Sequence, residues 1–265
     1  MVNKRKFQAV VLDLFDTLVT WDPGKLPVFQ WNGRETHSTI PWILPRVEKA
    51  LGPRYSLEAF VTSYTKVYEE INLERERDGI EITCHERFVR TLNKLGVEAV
   101  EQASLAEDLT RIHMRGVRGV TSAPAARITA VRRLAQKYRL GLLSNFDDSQ
   151  TGWEIMADTG VKDRFEAIII SADVAIRKPN PKIFLRMLEM LKLPPDAVLF
   201  VGDAPHHDVL GAKNVGMSAA WIHRPSTSAR HGSSAPVDLS VFEGLAQPDY
   251  MIEDLAQLPD ILDPH

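Results

Sequence analysis

Four charged side chains in this sequence stand at or beyond the ends of short apolar runs, and together their types could perform hydrolysis. They are Asp13, Lys178, Asp203 and Asp208. A carboxylate such as Asp13 can attack an electrophilic phosphorus or carbon atom, and water can then resolve the covalent intermediate. Asp203 can complete an oxygen-rich Mg²⁺ site with it. The cation and Lys178 would relieve the repulsion between this nucleophile and an anionic substrate.

Ser144 and Asn145 follow a further apolar run and add groups that can bind an anion. The Ser144 hydroxyl and the backbone amides behind it can bind phosphoryl oxygens at the start of a helix. Both residues could also begin a turn and cap a helix, and the two roles are compatible. Lys178 could be a solvated lysine before Pro179, and Asp208 could be a charge that stabilises a helix N-terminus.

A parallel sheet would bring these side chains together, and the sequence predicts one. Short apolar runs without alternation are typical of parallel strands that are buried on both faces. Such runs occur at Phe7–Leu12, Leu140–Leu143, Ala167–Ile170, Ala197–Val201 and Ser218–Ile222, with a weaker one at Tyr250–Ile252. Helical patterns lie between them, at Pro124–Tyr138, Ser149–Thr159, Pro181–Lys192 and His207–Val215. The alternation predicts an α/β fold with a Rossmann-like, doubly wound parallel sheet, which binds ligands outside the carboxyl ends of its strands.

This alternation is interrupted from about residue 20 to residue 120, where the sequence predicts several helices and no strand. Ser56 is expected to begin a long helix that ends at Gly79. Thr83 and Ser104 each stand three residues before a glutamate, which is the spacing of a capping box, and are expected to begin two more helices.

The interruption predicts two domains. An α-helical cap domain over residues 20–119 is expected to be inserted into a core domain formed by residues 1–19 and 120–265. Residues 223–248 are rich in Ser, Pro, His and Gly and are expected to form a loop that is longer than most connections. Three tryptophans enter the insertion and are expected to pack rather than to bind substrate. They are Trp21, Trp31 and Trp42.

Four ordered motifs resemble those of the haloacid dehalogenase (HAD) superfamily, subfamily I, which carries a helical cap between its first two motifs. The motifs are Asp13-Leu-Phe-Asp-Thr17, Ser144-Asn145, Arg177-Lys178-Pro179-Asn180-Pro181 and Gly202-Asp203-Ala-Pro-His-His-Asp208. They frame nearly the whole α/β part of the chain, and their order makes the combination specific. The resemblance implies a hydrolase whose cap closes over the active site.

The resemblance also implies a role for each matched residue. The catalytic residues would be Asp13 as nucleophile, Thr17, Ser144 and Lys178. The substrate would be bound by Ser144, Asn145 and Lys178. The magnesium ligands would be Asp13, the backbone carbonyl of Phe15, Asp203 and, through water or one shell further out, Asp208. The expected cofactor is therefore Mg²⁺, and the expected substrate is a small phosphorylated molecule.

Phe15 departs from the pattern of the phosphatases that the chain resembles. Those enzymes usually carry a second aspartate two residues after the nucleophile, which protonates the leaving oxygen and then activates water. General acid–base help contributes about 10²–10⁴-fold, so its loss matters. Haloacid dehalogenases lack this aspartate too, because halide leaves without a proton. Phe15 therefore favours C–halogen hydrolysis through an aspartyl ester.

Asp203 favours the opposite interpretation, because the dehalogenases use no metal and have a Ser-Asn pattern at Gly202-Asp203. Unpaired carboxylates beside Asp13 are costly without a cation. The preferred hypothesis is Mg²⁺-dependent hydrolysis of a small phosphate ester through an aspartyl-phosphate on Asp13. Dehalogenase-type hydrolysis and a catalytically weak phospholigand-binding or regulatory protein remain as alternatives.

The bulk composition narrows the remaining classes. A net charge of −3 is too small to predict a nucleic-acid partner or a membrane surface, and no run approaches the roughly 20 apolar residues of a membrane span. Cys84 is the only cysteine, so no intrachain disulfide can form and a cytoplasmic location is expected. His206 and His207 are expected to lie in a solvated loop, because adjacent histidines point in different directions. The sequence leaves the substrate and the oligomeric state open.

Overall fold

The computed structural model describes residues 7–223, 242 and 246–263. The strands in this part of the chain are β1 (Ala9–Leu12), β2 (Thr20–Trp21), β3 (Val28–Trp31), β4 (Arg34–His37), β5 (Thr121–Ser122), β6 (Arg139–Ser144), β7 (Ala167–Ile170), β8 (Val198–Gly202), β9 (Ser218–Ile222) and β10 (Tyr250–Ile252). The α-helices are α1 (Ile40–Leu51), α2 (Leu57–Asp78), α3 (Cys84–Leu95), α4 (Ala99–Gly119), α5 (Ala125–Leu134), α6 (Ser149–Asp158), α7 (Ser171–Val174), α8 (Pro181–Leu191), α9 (Gly211–Asn214) and α10 (Leu258–Leu262).

Six strands form one sheet in the order β10-β9-β8-β1-β6-β7. Every neighbouring pair in this sheet is parallel. β1 therefore lies near the middle, with β6 on one side and β8 on the other. Each of the six apolar runs in the sequence supplies one of these strands, and helices lie between successive strands of this sheet from β1 to β9. The predicted α/β fold with a doubly wound parallel sheet is confirmed.

Both faces of the sheet are covered, which explains why the apolar runs do not alternate. Val10 and Leu12 of β1 belong to the hydrophobic cluster on one face, and Ala9 and Val11 belong to the cluster on the other. Successive side chains of a strand point to opposite faces. All four residues of β1 are buried, as expected for a central parallel strand.

Side-chain caps begin two of the helices in the insertion. The Ser56 hydroxyl accepts a hydrogen bond from the backbone N–H of Ala59 at 3.0 Å, and α2 ends at Gly79 in the left-handed conformation. The Thr83 hydroxyl accepts from the N–H of Glu86 at 3.2 Å. Each cap satisfies an N–H group that has no partner inside its helix. The predicted helix starts at Ser56 and Thr83 are confirmed.

Two of the predicted helices differ from those in the structure. α4 begins directly after Glu98, so Ser104 lies inside the helix rather than at its start. The intervening Ala, Glu and Gln residues are good helix formers and nothing among them stops a helix, so the helix extends upstream of the capping box. The helix predicted over His207–Val215 is a π-helical turn, Pro205–Leu210, followed by the short α9.

The helices α1 to α4 lie between β1 and β6 in the chain and pack around a hydrophobic cluster of their own. Its buried members include Ile43, Phe60, Phe88 and Leu109, one from each helix. We refer to α1 to α4 as the cap helices. The boundaries of the cap domain at residues 20 and 119 stay a prediction.

The expectation that the insertion contains no strand is wrong. β2 and β5 form a short antiparallel pair where the chain enters and leaves the insertion, and β3 and β4 form a hairpin. Asn32 and Gly33 make its turn with positive φ angles of 49° and 72°, as a two-residue type I′ turn requires. Phe29 and Trp31 lie on one side of β3 and stack with ring centroids 6.2 Å apart. Their alternation with polar neighbours and the Asn-Gly pair are the signals that identify this hairpin.

Two further expectations concern the surface of the molecule. Apart from His223, Phe242 and residues 246–248, the predicted loop over residues 223–248 lies outside the described residues. Within the described part of the chain, no helix combines the length and the apolar character needed to cross a lipid bilayer.

Candidate active site

The carboxyl edge of the sheet brings together the charged residues that the sequence singles out. Asp13 directly follows β1, and its backbone N–H donates to the carbonyl of Val201 in β8 at 2.9 Å. Asp203 directly follows β8, and Asp208 lies in the π-helical turn behind it. Each of the three aspartates offers a ligand atom, and these atoms lie within 4.8 Å of one another. The three carboxylates therefore form one cluster at the centre of the sheet edge.

Lys178 is the cation at the centre of this cluster. Its ammonium group donates to Asp13 Oδ1 at 2.7 Å and to Asp208 Oδ1 at 2.6 Å. Its side chain is only 2% exposed, so it is not a solvated lysine. The other oxygen of Asp208 accepts from the backbone N–H of Ala204 at 2.9 Å. The Asp208 side chain thereby has a fixed orientation.

Gly202 has to be a glycine because Asp208 occupies the space beside it. A Cβ atom at position 202 would lie 2.2 Å from Asp208 Oδ2 and 2.7 Å from Asp208 Cβ. No side chain fits there unless Asp208 moves. The glycine of the Gly-Asp motif therefore serves the close approach of the Asp208 carboxylate to the end of β8.

The site contains more buried negative charge than Lys178 neutralises. Burial raises the pKa of Asp13 from its ordinary value of 3.8 to about 7; Lys178 lowers that pKa and Asp208 raises it. Burial, together with the charges of Asp13 and Asp208, also holds the pKa of Asp203 well above its ordinary value. The residues fit a magnesium ion, since clustered oxygen donors with excess negative charge are what a hard divalent cation requires.

Two buried hydroxyl groups lack hydrogen-bond partners. The side-chain oxygens of Thr17 and Ser144 are fully buried and make no hydrogen bond within the described residues. Buried polar groups are nearly always satisfied, so each exception requires an explanation. Thr17 lies four residues after Asp13, and Ser144 ends the strand next to β1. An anion with several acceptor oxygens at the sheet edge would satisfy both hydroxyls.

The Asn145 side chain links two loops of the site. Its amide oxygen accepts from the backbone N–H of Lys178 at 2.7 Å, and its amide nitrogen donates to the Lys178 carbonyl at 2.9 Å. The amide group is therefore engaged with the backbone that carries Lys178. Its role as a substrate ligand stays a prediction.

Phe15 and Phe146 form an aromatic pair. The rings of Phe15 and Phe146 lie with centroids 5.0 Å apart and planes tilted by 44°. Phe146 packs against both the core cluster and the cluster of the cap helices, so it lies where the two meet. The Phe15 side chain offers no proton donor or acceptor. The assignment of its backbone carbonyl as a metal ligand stays a prediction.

Buried charges that the sequence did not single out lie between the cap helices and the sheet. They include Arg75 and Arg87 from the cap helices, Glu81 from the segment between α2 and α3, and Asp147 from the loop after β6. Burial alone would raise the pKa of Asp147, but the charges of Arg87 and Arg75 hold it below its ordinary value. In the sequence, the position of Asp147 three residues after Ser144 is a signal that could identify this cluster.

The lone cysteine and the paired histidines lie apart from the chemistry. Cys84 is fully buried, and burial raises the pKa of its thiol to about 12. Within the described residues, the group that could hold a metal consists of three aspartates and includes no histidine. His207 faces Glu76 of α2 at 3.9 Å and is partly buried, so the expectation of a fully solvated loop is wrong for this residue.

A parallel sheet with this carboxylate and lysine cluster at its edge, and with helices inserted after its first strand, defines a class of capped α/β proteins. A family model for haloacid dehalogenase-like hydrolases matches residues 7–216, and a second, for HAD-hydrolase-like proteins, matches residues 175–258. The chain belongs to the haloacid dehalogenase-like hydrolase family. The predicted membership of this superfamily is confirmed.

Similar proteins include phosphatases and dehalogenases. Glyceraldehyde 3-phosphate phosphatase from Pyrococcus furiosus is 33% identical over 140 residues, which are 53% of this chain and 54% of the relative. The chain thus spans about half the length of this curated relative.

Two solved structures share the fold over nearly their full length. A 2-haloacid dehalogenase from Pseudomonas syringae has a TM-score of 0.66 at 23% identity, covering 97% of this chain and 98% of that chain. A HAD phosphatase from Thermococcus onnurineus has a TM-score of 0.59 at 23% identity, with the same coverage.

Proposed function

We propose that this protein is a magnesium-dependent phosphatase that hydrolyses a small phosphate ester through an aspartyl-phosphate on Asp13. The observation that carries the proposal is the cluster of Asp13, Asp203 and Asp208, whose ligand atoms lie within 4.8 Å of one another. Lys178 is buried beside it and contacts Asp13 and Asp208. The names of the sequence relatives support a phosphate ester as the substrate.

Each residue of the site would contribute a distinct part of the reaction. The Asp13 carboxylate would attack phosphorus as the bond from phosphorus to the leaving oxygen breaks, and the leaving oxygen would take a proton from solvent water. A second water would then attack the same phosphorus, give up a proton to solvent, release phosphate and restore the carboxylate. Lys178 would hold Asp13 in line and neutralise phosphoryl charge. The hydroxyl groups of Thr17 and Ser144 would donate hydrogen bonds to phosphoryl oxygens. Mg²⁺ bound by Asp13 and Asp203, with Asp208 behind them, would supply further neutralisation of charge.

A panel of small phosphate esters, assayed with Mg²⁺ and with EDTA, tests this function. Wild type should release phosphate only with Mg²⁺, and Asp13→Asn should abolish the release. Undiminished Mg²⁺-dependent phosphate release by Asp13→Asn would refute the proposal. Since Phe15 offers no proton, Phe15→Asp should raise turnover for esters with poorly stabilised leaving groups by roughly tenfold or more. Phe15→Leu, which removes the ring without adding an acid, is the matched control.

A second candidate function has its own support in the apolar pair of Phe15 and Phe146. An apolar residue at the position where a phosphatase would carry its proton donor suits displacement of halide from carbon, because halide leaves without protonation. Under this hypothesis, 2-chloropropionate would release chloride through an ester on Asp13, and EDTA would have no effect. Binding of Mg²⁺ and inorganic phosphate without turnover of any compound would instead identify a binding protein.

A further inference from the structure

Two buried carboxylates outside the nucleophile cluster connect the cap helices to the loops of the candidate site. Asp147 lies on the loop that follows β6, and Glu81 lies between α2 and α3. The Glu81 side chain is 1% exposed, and that of Asp147 is 14% exposed. Neither takes part in the proposed chemistry, so their burial requires a different explanation.

Asp147 contacts an arginine from each of two cap helices. Its carboxylate lies 3.1 Å from Arg75 Nη2 of α2 and 3.2 Å from Arg87 Nη1 of α3. Its backbone carbonyl accepts from the N–H of Cys84, the first residue of α3, at 2.8 Å. The two arginine side chains are 9% and 5% exposed, so these contacts are shielded from water. The loop after β6 is thus attached to the cap helices by both its backbone and its side chain.

Glu81 contacts three elements at once. Its Oε1 lies 2.9 Å from Arg75 Nη2 and 3.4 Å from Arg177 Nη1, and its Oε2 accepts from the Ser171 hydroxyl at 2.6 Å. The Ser171 oxygen in turn accepts from the backbone N–H of Phe146 at 2.8 Å. Glu81 therefore joins a cap helix, the residue that precedes Lys178, and the loop that follows Ser144.

These contacts converge on the residues that would meet the phosphoryl group. Arg177 is adjacent to Lys178, and Asn145 joins the Lys178 backbone to the loop of Ser144. We propose, on the basis of the proposed function, that Glu81 and Asp147 are positioning residues. They hold the cap helices over the site and fix the loop that follows Ser144 and the loop that carries Lys178. We call this pair the carboxylate clamp.

Charge removal without change of shape tests the carboxylate clamp. Glu81→Gln and Asp147→Asn are compared with Asp108→Asn, which breaks the 2.7 Å pair with Arg46 within the cap helices. The assay uses p-nitrophenyl phosphate and Mg²⁺. Misplacement of catalytic groups by about 1 Å can cost about 10²-fold, and interactions made only in the transition state affect kcat. Glu81→Gln and Asp147→Asn should each lower kcat by about tenfold or more with KM within about threefold of wild type, and Asp108→Asn should change neither constant by more than about twofold.

A purely structural role would lower thermal stability and leave kcat of the folded protein within about twofold of wild type. That result would overturn the proposal. If Glu81→Gln does not fold, Ser171→Ala removes a single hydroxyl from the same chain of contacts and should lower kcat in the same way; unchanged kcat would again overturn it.

Hydrogen exchange separates failure of the clamp from failure of the proposed function. The amide N–H groups of Cys84 and Arg177 donate hydrogen bonds across this junction, to the carbonyls of Asp147 and Gly79. The N–H of Phe146 donates to the Ser171 hydroxyl, which contacts Glu81. Both clamp variants should exchange these amide protons at least about tenfold faster than wild type, whether or not the protein hydrolyses p-nitrophenyl phosphate. If wild type proves inactive on all phosphate esters, the proposed function fails and this measurement still decides the clamp. Unchanged exchange at all three amides would overturn it.

Discussion

The buried carboxylate of Asp13 should destabilise the metal-free protein, and the pH dependence of the free energy of unfolding should reveal by how much. Burial raises the pKa of Asp13 from 3.8 to about 7 in the folded chain. Between pH 3.8 and about 7, the folded state therefore retains the Asp13 proton while the unfolded state loses it. Stability from this group is complete below pH 3.8 and is lost as the pH rises to about 7. A pKa difference of this size corresponds to about 4 kcal/mol at pH 8.

Asp13→Asn removes this titration while keeping an oxygen that can accept from Lys178. In EDTA, urea unfolding should show that Asp13→Asn is more stable than wild type by about 4 kcal/mol at pH 8 and by nearly nothing at pH 4. Mg²⁺ should stabilise wild type more than the variant, because Asp13 is a proposed ligand. A variant that is no more stable than wild type at pH 8, or a difference independent of pH, would refute the reasoning.

Asp147→Asn is the matched control, and its effect on stability at pH 8 should have the opposite sign to that of Asp13→Asn. Burial favours the neutral form of Asp147, but Arg87 and Arg75 outweigh burial and hold its pKa below the ordinary value. Its contribution to stability is present above the unfolded pKa and is lost as the pH falls. Asp147→Asn should therefore lower stability at pH 8, and this loss should shrink towards pH 3.

Three further outcomes are expected from the site and its surroundings. Lys178→Met should lower kcat by about 10²-fold or more. Mg²⁺ binding, measured by calorimetry, should not weaken in this variant, because the lysine neutralises the same carboxylates as the metal. Weaker Mg²⁺ binding would contradict this expectation. Gly202→Ala should displace Asp208, lower the free energy of unfolding in urea by roughly 1–3 kcal/mol and weaken Mg²⁺ binding. An unchanged urea midpoint of unfolding would contradict the close contact between Gly202 and Asp208. Cys84 should react with a thiol reagent at pH 8 at least about 10²-fold more slowly in the folded protein than in urea, since burial raises its pKa to about 12.

Much of the fold can be predicted from the sequence because its signals are local. An unalternating run such as Val198–Val201 needs only neighbouring residues to indicate a buried parallel strand, and Ser56 and Gly79 mark a helix by their own backbone preferences. The capping pattern at Ser104 does not mark a helix start because the five residues before it, 99–103, already continue the helix upstream. The hairpin of β3 and β4 was missed although Asn32-Gly33 is a local signal.

The candidate site can be predicted only in part because its remaining contacts are not local. Asp13 and Asp203 directly follow the neighbouring strands β1 and β8, so sheet topology places them together. Lys178 lies eight residues after β7 and beyond α7, and its contact with Asp13 is seen only in the structure. The partners of Asp147 come from helices about 60 to 70 residues away in the sequence, and no periodicity links them. The engagement of Asn145 with the Lys178 backbone depends equally on side-chain direction.

The two charged clusters differ in how well they are balanced, and this difference separates chemistry from positioning. In the clamp, Glu81 and Asp147 face Arg75, Arg87 and Arg177, and the surrounding cations hold the pKa of Asp147 low. A buried carboxylate that is fully paired stays ionised and inert. At the sheet edge, Asp13 and Asp208 share Lys178, and the carboxylate of Asp203 lies close to both. The pKa values of Asp13 and Asp203 are raised. Only the second cluster gains when a cation and a phosphoryl group arrive, which is why we assign the reaction to Asp13 and the orientation of its surroundings to Glu81 and Asp147.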